Sequence, residues 1–232
     1  MEETDRMTDI LSAQKTGRRA FCGIELLSAP DVLVPRTETE LLARTAIDLL
    51  LCIHTDSNLR LIDMCSGAGN LACYIASHLK NAQVWASDLT EACVDLALRN
   101  VDYLNLRERV QVLRGDLFTP LYGLELEGTI DAVVCNPPYI SSGKLMSERA
   151  ALLDHEPKEA FDGGVYGISI HQRVIRDAPD FLKTDGYLLF EFGLGQERQI
   201  TKLFERSNRY ADFRLESDGE GHPRVASARK KS

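Results

Sequence analysis

Between residues 59 and 192, short apolar runs alternate with stretches of helical period, and this alternation constrains the fold more than any other property of the chain. Leu59-Arg60-Leu61-Ile62-Asp63 precedes a helical stretch through Leu71, Ile75 and Leu79. Val84-Trp85-Ala86-Ser87-Asp88 precedes another over about 91–104. Strands over 110–113, 130–135 and 186–192 and helices over about 168–182 and 196–207 continue the pattern. Such alternation predicts a mostly parallel sheet, because right-handed crossovers lay helices on both of its faces. Asp218-Gly219-Glu220-Gly221 separates two final short segments, 213–216 and 224–228, as in a terminal hairpin. The 232 residues, 44% hydrophobic, fill one α/β core and fall short of two domains of ordinary size. The expected organisation is a flexible or weakly helical lead-in over 1–20 and one domain over 21–232, with an early helix around Leu41, Ala46 and Leu50 capped by Thr37 or Thr39. Residues 141–166 lack periodicity and read as the longest loop and a lid.

In a doubly wound sheet, ligands sit beyond the carboxyl ends of the strands where the strand order reverses, so the strand ends carry the functional signal. Asp63 ends the first strand before Cys65-Ser66-Gly67-Ala68-Gly69, where a backbone without Cβ atoms passes close under a ligand. A Gly-x-Gly by itself also serves tight helix packing, and a single Asp also serves as a helix cap. Asp88 at the end of the second strand sharpens the ligand reading, since an acid there accepts from both ribose hydroxyls of an adenosine-containing ligand. Asp116, in Gly115-Asp116-Leu117-Phe118, ends the third strand, where a carboxylate takes adenine amino hydrogens while Leu117 and Phe118 pack near the ring. A turn is the competing reading of that acid. Position 73 is Cys73 rather than the third glycine of a dinucleotide fingerprint, and no Gly-Lys-Ser or Gly-Lys-Thr marks a phosphate loop.

The most specific signal is Asn136-Pro137-Pro138-Tyr139 after the fourth strand. Two prolines fix two φ angles and remove two backbone donors, which leaves a stiff loop whose Asn136 and Pro137 carbonyls can accept. The Asn136 side-chain oxygen beside such a carbonyl forms a two-acceptor fork for an NH2 group, and Tyr139 supplies a flat face for a planar amide or base. The fork orients a weakly nucleophilic nitrogen toward a methyl donor and favours the positive charge that develops on it, without a strong base. A rigid turn after a buried strand is the structural alternative.

With these residues the chain resembles the HemK-type protein glutamine methyltransferases, which act on release factors and ribosomal proteins. The resemblance spans about residues 21–229 and includes Pro35-Arg36-Thr37-Glu38-Thr39-Glu40, Glu156-Pro157, Phe161-Asp162-Gly163-Gly164 with Gly167, and Arg224-Val225-Ala226-Ser227-Ala228-Arg229. It implies a Rossmann-like, seven-stranded class I methyltransferase sheet, mostly parallel with an antiparallel last strand. It also implies S-adenosyl-L-methionine as donor, with Asp63, Ser66, Gly67 and Gly69 at its methionine end, Asp88 at the ribose, and Asp116 with Leu117 at the adenine. Asn136 would border both donor and acceptor. Asn136, Pro137, Pro138 and Tyr139 would bind the acceptor glutamine, with Asn136, Pro137 and Tyr139 as the catalytic set, while Arg36 and Glu38 shape the cleft or form an ion pair. Two positions depart from the pattern: Cys65 replaces the first motif glycine, a loop compatible with negative φ there, and Thr37 replaces a proline. Bacterial release-factor members carry an N-terminal helical domain, whereas about 20 residues precede the shared region here, which leaves open both the acceptor and the need for an activator subunit in that domain's place.

The net charge of −8 argues against a broad nucleic-acid surface, and Arg229-Lys230-Lys231 reads as a solvated end. Six scattered cysteines without metal-ligand spacing signal neither zinc nor a disulfide framework. No run approaches the roughly 18 apolar residues of a membrane span, and Glu2, Glu3 and Asp5 open the chain in place of a signal peptide, so a cytoplasmic location is expected. The acceptor stays open between a protein glutamine, a small molecule of a biosynthetic pathway and an adenine amino group; a non-enzymatic scaffold would have little use for the fork.

Overall fold

The computed structural model describes residues 3–53, 58–148 and 156–232. In chain order, α1 (Glu3–Thr16) buries Ile10 and Ala13 and leads into a hairpin of β1 (Arg18–Phe21) and β2 (Ile24–Leu27). That hairpin was not legible as strands, because each run is four residues long and only Phe21 and Leu26 are fully buried. Residue 20 falls inside β1. After α2 (Thr39–Ile53) come β3 (Leu59–Met64), α3 (Asn70–His78), β4 (Ala82–Asp88), α4 (Glu91–Tyr103), β5 (Val110–Arg114) and β6 (Ile130–Cys135). Then follow α5 (Ser142–Glu148), α6 (Ser169–Phe181), β7 (Leu182–Glu191), α7 (Glu197–Ser207), β8 (Tyr210–Ser217) and β9 (Pro223–Lys230). Of the stretch read as a lid, 142–148 is helical and 149–155 lies outside the described residues.

The main sheet runs in the order β5-β4-β3-β6-β7-β9-β8. All pairs from β5 to β7 are parallel, and β9 lies antiparallel to both β7 and β8. This is the expected class I sheet with its antiparallel last strand, closed by the expected terminal hairpin. Strand alternation sends side chains to two cores: Leu189 packs with Leu42, Ile75 and Val84 on one face, while Leu188 and Phe190 pack with Phe181 and Phe204 on the other. All six residues of β6 are buried, including Asp131, which accepts from Arg60 N–H (2.8 Å) and pairs with Lys183.

Local polar chemistry fixes how helices meet the sheet. Pro179 in α6 has no N–H for the Ile175 carbonyl one turn back, and the Tyr210 hydroxyl of β8 donates to that carbonyl instead (2.9 Å). Asn100 on α4 is fully buried; it accepts from Leu27 N–H (2.7 Å) and donates to the carbonyls of Leu27 (3.2 Å) and Ala68 (2.9 Å), joining the hairpin to the loop after β3. Neither Thr37 nor Thr39 serves as the expected hydroxyl cap of α2. Their hydroxyls accept from Arg19 and Asn136, and the first turn is closed by backbone bonds from the N–H groups of Thr39 and Glu40 to Arg36 and Thr37.

Phe190 is fully buried and stacks on Phe204 at 5.5 Å. Its truncation in Phe190→Ala should cost about 3–5 kcal/mol, read as a lowered urea midpoint with an unchanged denaturant slope.

Candidate functional site

Strand order reverses between β3 and β6, and a cleft of about 750 Å³ opens beyond their carboxyl ends. Cys65, Gly67, Asp88, Asp116, Leu117 and Asn136 all line it. A smaller cavity of about 350 Å³ shares Cys65, Gly67 and Asn136 with this cleft and adds Arg36, Thr39 and Ser66.

The loop after β3 is wound by its own backbone: Ser66 N–H donates to the Ser87 carbonyl (3.1 Å) and Gly69 N–H to the Ser66 carbonyl (2.7 Å). These bonds place Cys65, Gly67 and Gly69 at φ of 57°, 52° and 76°. The negative φ expected at Cys65 is therefore corrected: the left-handed turn is kept with a side chain present, which packs against the core beneath. A side chain at Gly69 would press against Ala97 at 3.1 Å, so this glycine serves helix packing, whereas Gly67 has open space above it.

Asp63 is fully buried, with Oδ2 accepting from Ala72 N–H in α3 (2.9 Å) and Oδ1 unpartnered among the described residues. Burial raises its carboxyl from 3.8 to about 8; the Ala72 bond opposes this and nearby Asp88 adds to it. The buried Ser66 hydroxyl also lacks a partner. The Asp88 carboxylate is already fixed on both oxygens, by Gly67 N–H (2.8 Å) and Thr90 N–H (3.1 Å), and Thr90 in turn caps α4 through Cys93 N–H (3.3 Å). Asp88 lines the cleft while bracing two loops, and the helix-cap reading is corrected, because the cap of α4 is Thr90.

Asp116 is half exposed and its Oδ2 accepts from Arg173 of α6 (2.7 Å). Leu117 is buried at φ 49°, its carbonyl accepting from the Ser87 hydroxyl (3.0 Å). Phe118, expected beside a ligand ring, stacks instead on Phe181 at 4.9 Å inside the core, because the left-handed turn at Leu117 sends the next side chain away from the cleft.

Of the loop after β6, Asn136 and Pro138 line the cleft and Pro137 is buried. Asn136 Nδ2 donates to the Thr39 hydroxyl (2.9 Å), which turns its carbonyl oxygen away from α2. Tyr139 is held from behind. Its hydroxyl donates to Glu191 (3.0 Å) and accepts from Arg224 (3.3 Å), whose guanidinium lies 5.8 Å from the ring centre, and its carbonyl accepts from Gln196 (2.8 Å). Burial raises the Glu191 carboxyl against the pull of Arg224. Glu191, Arg224, Gln196 and Thr39 were not read as site residues. An acid inside Leu188-Leu189-Phe190-Glu191-Phe192 was the available signal, since a buried strand tolerates a charge only beside a partner.

Arg36 pairs with Glu156, whose other oxygen accepts from Val34 N–H (2.9 Å), so the segment before α2 is tied to the one after residue 155. Glu38 is half-buried, with its Oε2 atom shielded from solvent. Among the described residues no cluster of metal-ligating side chains occurs, and no helix is long and apolar enough to cross a membrane.

Residues 44–160 match the family described as Methyltransferase small domain. The chain is 35% identical over 202 residues to the release factor glutamine methyltransferase of Gloeobacter violaceus, covering 87% of this chain and 68% of that one. It is 41% identical over 144 residues to the ribosomal protein uL3 glutamine methyltransferase of Bradyrhizobium diazoefficiens, covering 62% and 44%. Its fold superposes on a crystal structure of a methyltransferase from Pyrococcus furiosus with a TM-score of 0.64 at 18% identity, covering 99% and 100%.

Folded Asp63 keeps its proton to about pH 8, while the unfolded carboxyl loses it near 3.8. The folded state therefore holds the extra proton between these values, and this group's contribution to stability falls as pH rises from 4 to 8 and levels off above. The difference in urea midpoint between the wild type and Asp63→Asn should widen, in favour of the variant, over that window; a pH-independent difference would show that Asp63 titrates as in the unfolded chain.

Proposed function

Because the chain belongs to the methyltransferase small-domain family, among its HemK-like members, we propose that it transfers a methyl group from S-adenosyl-L-methionine to the side-chain amide of a glutamine in a protein of the translation machinery such as a release factor. The observation that carries this reading is the hydrogen bond from Asn136 Nδ2 to Thr39 (2.9 Å), because it leaves the amide oxygen of a cleft-lining Asn136 to accept. An acceptor glutamine needs that polarity: its NH2 group brings two donors and seeks two acceptors.

The cleft suits the donor. The unpartnered Ser66 Oγ lines the smaller cavity as an acceptor for the donor's ammonium, and the open space over Gly67 admits a ligand passing close to the backbone. Asp88, preorganised by Gly67 and Thr90, takes the ribose hydroxyls on its remaining lone pairs. Asp116 keeps one oxygen for the adenine amino group while Arg173 holds the other, and Leu117 forms the wall beside it. When bound, S-adenosyl-L-methionine supplies an electrophilic methyl on a sulfonium, which leaves as a neutral thioether when the amide nitrogen takes the methyl and releases a proton.

The chain's own groups orient the acceptor. The Asn136 side-chain oxygen and the Pro137 carbonyl accept the two amide hydrogens, and Pro138 closes the cleft wall. Tyr139, anchored by Glu191 and Arg224, bounds the plane in which the amide lies. As the nitrogen attacks, positive charge grows on it, and two fixed acceptors stabilise that charge more than they stabilise the neutral amide.

Labelled S-adenosyl-L-methionine incubated with a cell extract should place label in a protein band, and Asn136→Ala should abolish that band. Label confined to nucleic acid or to small molecules would overturn the acceptor. Asn136→Ala should lower turnover by about two orders of magnitude with donor affinity nearly unchanged. Asp88→Ala should chiefly weaken donor binding; unchanged affinity by calorimetry would remove Asp88 from the ribose.

A further inference from the structure

A folded surface is more than half apolar, so single exposed hydrophobic side chains carry no message. Here the most exposed ones converge. Among the described residues the three most exposed large apolar side chains are Tyr166 (79%), Val165 (74%) and Leu194 (61%), and Leu89 follows at 58%. Leu89 lines the cleft. The other three stand on two short turns that rest on Tyr139.

Each turn is closed by its own backbone. Gly167 N–H donates to the Gly164 carbonyl (3.1 Å) and Gln196 N–H to the Gly193 carbonyl (3.1 Å), which places Val165-Tyr166 and Leu194-Gly195 at the tips. The first turn continues a segment paired with the residue after Tyr139: Ile140 N–H donates to the Phe161 carbonyl (2.9 Å) and Gly163 N–H to the Ile140 carbonyl (2.8 Å). The Gln196 side chain ties in the second turn, accepting from Gly193 N–H (2.8 Å) and donating to the carbonyls of Tyr139 (2.8 Å) and Gly167 (3.2 Å). A side chain at Gly167 would collide with the Tyr139 carbonyl oxygen, and one at Gly193 would press on the Tyr139 ring at 3.0 Å. Both turns therefore flank the acceptor loop closely, with apolar side chains standing in solvent at their tips.

Glutamine carries its amide only two methylene groups from its own main chain. A polypeptide that lays the amide against Asn136 must therefore run across the mouth of the site, beside Tyr139 and these turns, whereas a small amide need not reach them. We propose that Val165, Tyr166 and Leu194 form an apolar rim on which the polypeptide to either side of the acceptor glutamine docks through apolar side chains of its own. The inference rests on the reading of a protein glutamine as acceptor and adds where that protein is held. Covering apolar surface is favourable and non-directional, so the rim supplies affinity while the Asn136 and Pro137 acceptors select the amide.

Labelled methyl transfer tests this with two acceptors: the protein fraction of a cell extract, at rising concentration, and N-acetylglutamine N-methylamide, a glutamine with no chain on either side. The triple variant Val165→Ser, Tyr166→Ser, Leu194→Ser is compared with the wild type. The variant should need about tenfold or more of the protein fraction to reach half its top rate, with the top rate retained, as when binding common to ground and transition states is lost. Its rate with the capped glutamine and its affinity for S-adenosylhomocysteine should match the wild type. An unchanged half-saturating amount, or an equal loss on both acceptors, would overturn the rim alone. Absence of label from the protein fraction with the wild type would overturn the glutamine reading and the rim with it. If the triple variant fails to bind S-adenosylhomocysteine, Tyr166→Ser alone decides by the same measurement: a raised half-saturating amount supports the rim and an unchanged one overturns it.

Discussion

Parallel pairing of β3 with β4 along one edge and with β6 along the other governs the rest of the structure. Parallel neighbours present their carboxyl ends at the same side of the sheet, so the loops after these strands must meet there. The register is tight enough to matter at single residues: Asp63 lies across from Ala86 and Val134, and Met64 from Ser87 and Cys135. Each strand therefore runs out within a residue or two of its neighbours, and Cys65, Asp88 and Asn136 arrive at one opening.

Binding these loops to one another falls to polar groups that a hydrophobic core cannot replace. Asp88 reaches the loop after β3, Asn136 reaches the start of α2, Glu156 reaches the segment before it, and Glu191 with Arg224 reaches Tyr139. Each links stretches far apart in sequence. Apolar contacts define how closely elements approach, but they are non-directional, and a surface that must present one particular oxygen requires donors and acceptors at fixed angles.

The sheet was legible because its strands and helices repeat at two distinct periods over more than a hundred residues, and the loops of the site follow from topology once the strands are placed. Asn136, Asp88 and Asp63 stood together at the ends of neighbouring strands, which is the position where this topology gathers a ligand. What stayed hidden depended on third partners. The hairpin over Arg18–Phe21 and Ile24–Leu27 is held by Asn100, 73 positions away from Leu27. The left-handed turn at Cys65 goes with the backbone bond from Ser66 N–H to Ser87, and the inward turn of Phe118 with the conformation of Leu117. Glu191 and Arg224 lie on adjacent antiparallel strands, a pairing that composition and period do not reveal.

The clasp of Gln196 reaches beyond the residues it touches. One side-chain amide donates to the Tyr139 carbonyl and to the Gly167 carbonyl while accepting from Gly193 N–H, so three backbone segments share one anchor. Much of the conformational freedom that a mobile binding loop would surrender on meeting its target has already been surrendered during folding. A finished surface of this kind expresses discrimination through how long a complex survives more than through how often it forms, because wrong and right visitors collide with it at similar rates and differ in what holds them afterwards.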